Sequence, residues 1–249
     1  MAGHSHWAGI KHKKALIDNK RGKVWSKVAR AIIVAAKIGG GDPDTNPRLR
    51  VPLADARAAR MPKDNIERAI KKGTGELAGG EVEEVLYEGY GPNGVAIMCE
   101  IMTDNRNRTA PELRKLFEVN GGKLGATGCV SYLFERKGLV IVPTNKVDEE
   151  TLMEMALEAG ADDIRREDES FEVTCEPEIY ADLLQALDDA GIDPTVKQVT
   201  RIPSSTVDLD ATTGAKILGF LEALDDHDDV QSVSANFNIP KEVMEQLQQ

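Results

Sequence analysis

The residues whose type and spacing point to chemistry are cations, and they crowd one end of the chain. Lys11, Lys13, Lys14, Lys20, Arg21, Lys23, Lys27, Arg30 and Lys37 lie in a stretch where Asp18 is the only carboxylate before Asp42. Residues 1–72 hold 10 Lys, 7 Arg and 6 Asp plus Glu, a net +11; the remaining 14 cations and 36 acids of residues 73–249 give −22. The two add up to the whole-chain −11. A split of this size points to a polyanion partner at one end only. The bland alternative is a solvated basic face, but such faces normally carry interspersed acids. On a helical wheel Lys20, Lys23, Lys27, Arg30 and Lys37 fall within about 100° of one another. Trp25, Val28, Ala29, Ile32, Ala35 and Ala36 take the opposite side. Val34 is out of place among the cations. A second set, Arg68, Lys71 and Lys72, lies on the polar side of a helix whose Ile66, Ala69 and Ile70 face the other way.

Three further constellations invite a reading. Arg106 and Arg108 sit beside Asn105 and Asn107 ahead of a helix, a setting that could hold a phosphate with forked donors and free backbone N–H groups. Pairing with Asp104 and Glu112 is the structural alternative. Asp225-Asp226-His227-Asp228-Asp229 lacks calcium-loop spacing and reads as a solvated acidic turn, unfavourably placed at a helix C-terminus. His4, His6 and His12 have no carboxylate nearby to complete a metal site. For catalysis the chain offers no G-x-S-x-G, H-E-x-x-H, Walker A or G-x-G-x-x-G pattern. No catalytic residue, metal or cofactor is therefore expected. Gly39-Gly40-Gly41 has no following G-K-[ST] and reads as a turn.

Aromatic residues are 4% of the chain, too few for an extended base-stacking platform. Cys99, Cys129 and Cys175 form no C-x-x-C pair, which suits a reducing cytosol. No apolar run is long enough to span a membrane, and no signal peptide is read at the start.

The elements that position these residues follow from periodicity and capping. Residues 1–8 read as an arm, and helices are expected over 10–19, 23–38, from Pro47 and from Pro62, the third capped by Asn46 and disturbed by Pro52. After a glycine-rich linker at 73–80 the period changes to that of strands, at 82–88, 95–102 and 129–134. Thr109-Ala-Pro-Glu112 is a capping box, which starts a helix at Ala110. From Gly138 onward the order strand 139–142, helix 148–159, strands 162–167 and 171–175, helix 177–190, strand 195–202 is the βαββαβ unit of ferredoxin-like domains. A helix near 212–225 and a strand near 230–237 cannot bury a core alone. The expected fold is α+β: a basic helical domain over 1–78, a discontinuous domain of 79–136 with 204–249, and an inserted domain over 137–203.

The segments MAGHSHWAGIKHKK, NKRGKVWSK, GGGDPDTNPRLR, MPKDNIERAI, YEGYGPNG, TDNRNRT and GGKLGATGCVSYLF together resemble the YebC/PmpR family. The resemblance implies a helical domain followed by two α+β domains, and a probable DNA-binding transcriptional regulator of the cytoplasm. A mitochondrial relative that activates translation and bacterial relatives linked to the ribosome make ribosomal RNA the alternative partner. Pro52 departs from the family pattern. The expected interface comprises the cations named above, with the acidic domains free for protein partners and no membrane. A ligand-binding protein or hydrolase using the cleft between the α+β domains is the rival outside this class.

Overall fold

The computed structural model describes residues 21–78, 81–167, 169–240 and 243. The expected arm and first helix, with Lys11, Lys13, Lys14, Lys20 and the histidines before Trp25, lie outside the described residues.

Among the described residues three helices form the N-terminal body: α1 (Arg21–Gly39), α2 (Pro47–Ala58) and α3 (Lys63–Gly73). Their core gathers Ile32, Leu49, Leu53, Ala56, Met61 and Ala69. α3 crosses α1 so closely that a Cβ on Gly73 would stand 2.5 Å from the Ile33 carbonyl oxygen. Pro47 opens α2, as its preset φ favours. Asn46 precedes it but does not cap it. Its side-chain amide instead donates to the carbonyls of Ala35 and Gly40, closing the end of α1. Pro52 is accommodated within α2 with its ring buried.

The next body is a sheet of order β3-β1-β2-β9, built from β1 (Glu83–Tyr90), β2 (Ala96–Thr103), β3 (Lys123–Leu124) and β9 (Val230–Ala235). Its strands therefore come from two distant parts of the chain. Residues of β2 alternate in destination, as strand geometry requires. Ile97, Cys99 and Ile101 face α4 (Arg106–Val119) and α7 (Ala211–Asp225), where Phe117 and Phe220 meet edge to face at 4.9 Å. Ala96 and Met98 face Val130 and Phe134 on the other side, and Met102 packs against the helical body.

The third body has order β5-β6-β4-β7, all antiparallel, from β4 (Phe134–Pro143), β5 (Asp163–Glu167), β6 (Ser170–Cys175) and β7 (Val196–Pro203). α5 (Glu149–Glu158) and α6 (Tyr180–Asp189) cover it over Val140, Val142, Leu152, Phe171, Val173, Leu183 and Leu187. This is the ferredoxin-like arrangement. A short parallel pair, β8 (Val207–Asp208) with β10 (Phe237–Asn238), completes the fold. The chain is thus α+β.

Two expectations about elements fail. The strand placed at 129–134 is instead a loop and a single 3-10 turn at Ser131–Leu133. The strand placed at 139–142 begins at Phe134 and pairs without interruption with β7 from Phe134↔Pro203 to Ile141↔Val196. The polar Arg136-Lys137-Gly138 hid this continuity. Lys137 lies against Asp162 and Glu176, and Gly138 leaves room for the Tyr180 ring, which a Cβ would approach to 2.7 Å. We propose that 134–203 is a folding unit inserted into the middle domain. A polypeptide of 134–203 is expected to melt cooperatively alone, and 82–133 to do so only when joined to 204–240; a cooperative melt of 82–133 by itself would refute the division.

Candidate nucleic-acid interface

α1 places its cations against another part of the same chain. α7 ends at Asp225, and the carbonyl groups of its last turn have no partner within the helix. Lys27 Nζ donates to the Asp225 carbonyl at 2.6 Å, and Lys23 Nζ to the Asp226 carbonyl at 2.9 Å. Arg30 donates to the Asp228 carbonyl. Lys27 and Lys23, at the negative end of the helix, offset its dipole and its unpaired oxygens, while Arg30 holds the turn beyond it. They also answer the acids that would otherwise be unfavourable there. Lys27 lies 3.4 Å from the Asp225 carboxylate and Lys23 3.9 Å from that of Asp226.

Asp229 is the node of this junction. Its side chain is 2% exposed. Oδ2 accepts from Arg108 at 2.8 Å and from the Thr109 hydroxyl at 2.7 Å. The Thr103 hydroxyl lies 2.8 Å from that of Thr109 and accepts the Asn105 N–H at 3.0 Å. Oδ1 lies 3.1 Å from Arg30 Nη2 without the alignment of a hydrogen bond, so that contact is ionic. Burial pushes the Asp229 carboxyl upward. The bonds from Arg108 and Thr109 and the charges of Arg30 and Arg108 outweigh it and hold the group below the ordinary carboxylate value. Asp229 in turn raises Arg108 through its hydrogen bond and charge, with Asp104 and Glu112 adding to it. His227 sits alongside: Nδ1 accepts the Asp229 N–H at 3.2 Å, so the ring proton belongs on Nε2, 3.0 Å from Glu112.

The acidic run is therefore not a solvated turn; Asp229 is buried and the run receives α1. Arg108 braces the junction through Asp229 and Asp104, and Arg106 pairs with Glu83 at 2.6 Å. Both arginines lie in the first turn of α4. That helix begins four residues before the expected Ala110 because Asn105 caps it, accepting the Arg108 N–H. Thr109, read as the cap, is buried and turned to Asp229 instead. Lys37 lies 3.5 Å from Glu81, both exposed, a pair of little energetic weight. Arg21 opens α1. Arg68, Lys71 and Lys72 stand on α3. The sequence singles out Asp229 and Thr109 but in other roles, as part of a solvated turn and as a cap, and gives no sign of Thr103; the one signal available was the burial-prone Val34 among the cations, which is 4% exposed. Among the described residues no group of three or more His, Cys, Asp or Glu is placed to hold a metal, and no helix is long and apolar enough to cross a membrane.

Residues 5–76 match the TACO1/YebC N-terminal domain, and residues 82–237 match the TACO1/YebC second and third domain. The chain belongs to the TACO1/YebC family. A probable transcriptional regulatory protein of Rhodopirellula baltica is 61% identical over 97% of this chain and 98% of its own. One of Persephonella marina is 52% identical over 99% and 100%. Among solved structures, a conserved hypothetical protein of Aquifex aeolicus superposes with a TM-score of 0.84 at 51% identity, over 95% of this chain and 98% of that one. The TACO1/YebC boundary between residues 76 and 82 falls where the helical body of this chain gives way to its first strand.

Proposed function

We propose that this TACO1/YebC chain is a non-enzymatic, nucleic-acid-binding regulator of gene expression in the cytoplasm, with the helical domain meeting the polyanion. The observation that carries the reading is the division of charge, +11 over residues 1–72 against −22 over the rest. A polyanion would be drawn to one end and repelled by the other, which orients the molecule. The acidic bodies are then available to basic protein partners. The relatives' names favour DNA as the partner. Ribosomal RNA presents the same phosphate chemistry, so the test includes both.

Binding to a duplex DNA fragment and co-sedimentation with ribosomes are measured across a salt series. If about four cations meet phosphate, the log–log slope on duplex DNA is expected near −3 to −4. Absence of binding to either partner at low salt, or binding indifferent to salt, would defeat the proposal.

A further inference from the structure

The cations of the helical domain fall into two sets. Lys23, Lys27 and Arg30 are held by the turn after α7. Arg68 and Lys72 are not: among the described residues neither has a carboxylate or other bonding partner. Both line a groove of about 540 Å³ between α1 and α3, within the range of ligand pockets. Trp25 and Ser26 line it from α1, with Met61 and Asn65 beside them. The Trp25 indole N–H donates to the Ala59 carbonyl at 3.0 Å, which fixes the ring. Asn65 adds an amide that can both donate and accept.

A fixed aromatic ring, two unpaired cations and an amide around such a space match one nucleotide. The ring suits the face of a base, the amide its edge, and the cations its phosphate. A duplex keeps its bases stacked and has none to give Trp25. We propose that the groove between α1 and α3 seats one unpaired nucleotide of a single strand, its base against Trp25 and its phosphate on Arg68 and Lys72. The inference rests on the nucleic-acid reading above and deepens it; the cations of α1 then join domains rather than bind the ligand.

The test is anisotropy of a labelled ten-nucleotide oligouridine with the full chain, beside a labelled duplex. The Trp7→Phe variant makes Trp25 the sole tryptophan, since the chain has two. Oligouridine is expected to bind more tightly than duplex and to quench Trp25. Arg68→Ala with Lys72→Ala should weaken it about tenfold or more, as loss of two charge-assisted contacts implies. Lys23→Ala with Lys27→Ala should change affinity by less than about twofold, as expected of residues outside the contact. Polyglutamate should compete poorly, because it offers charge without a base. The inference is overturned if Trp25 fluorescence is indifferent to bound oligouridine, if the Arg68/Lys72 variant binds as wild type, if the Lys23/Lys27 variant loses more, or if polyglutamate competes equally. Binding of duplex alone overturns it while sparing the proposed function. No binding of any nucleic acid overturns both.

Discussion

Asp229→Ala is expected to lower the unfolding free energy by about 2–4 kcal/mol at neutral pH. The substitution removes the acceptor of the buried Thr109 hydroxyl and leaves Arg30 and Arg108 without their shared carboxylate. Arg108 is 44% exposed and Arg30 22%, so water replaces part of what they lose, and the upper end for a broken buried pair is not reached. Arg108→Ala should cost less than Asp229→Ala for the same reason. Urea melts give the check: the midpoint should fall. The Asp229→Ala and Arg30→Ala effects should not add, since the two share one junction. Additivity, or a loss under about 0.5 kcal/mol, would mean that Asp229 does not join the domains.

Glu88→Ala should cost more, about 3–5 kcal/mol. Glu88 is 3% exposed, and its carboxylate accepts the N–H groups of Gly128 at 2.8 Å, Val130 at 2.8 Å and Ser131 at 2.9 Å. Removing it strands the buried Val130 N–H and takes the acceptor from the part-buried Gly128 and Ser131 N–H groups of the loop before β4. Glu88→Gln, which keeps the volume but not the charge, should lose about half as much. Burial raises the Glu88 carboxyl, and the three N–H groups more than reverse it, so its folded-state value lies below the ordinary 4.5. Asp229 likewise lies below 3.8. The stability each supplies is complete above those ordinary values and is lost as pH falls through the lowered folded-state values. Glu88→Gln should therefore flatten the acid limb of stability against pH. An acid limb unchanged from wild type would show that Glu88 is not the titrating group.

Elements set by local pattern were legible in the sequence. The ferredoxin-like body shows short apolar runs in its strands, such as the buried 139–142, and apolar spacing in its helices, and Asp148 caps α5 by accepting the Thr151 N–H. What was hidden depends on distant partners. Asn105 and Thr109 are equally good caps by type, and only an acceptor 120 residues away settles which one serves. Periodicity found the basic face of α1 but not what lies opposite it. The acids at the end of α7 looked misplaced because the cations that answer them come from some 200 residues earlier, as with Lys23 and Asp226, 203 apart. β3, a strand of two residues, carries too little pattern to be read at all.

The continuous ladder between β4 and β7 has a mechanical meaning. The chain enters the third body at Phe134 and leaves it at Pro203, and these residues are paired, with the Ser204 N–H donating to the Leu133 carbonyl just beyond them. The body hangs on a two-stranded ribbon rather than on a single swivelling linker. Such an attachment resists swinging, because one strand would have to lengthen as the other shortens. It yields to twist, which antiparallel ribbons accept readily. Pulled away from its neighbours, it would open from the Phe134 end one rung at a time, like a zipper. Arg201 Nε to Glu100 at 2.9 Å, with the Ser232 hydroxyl on the other Glu100 oxygen at 2.7 Å, stitches this ribbon to the neighbouring sheet.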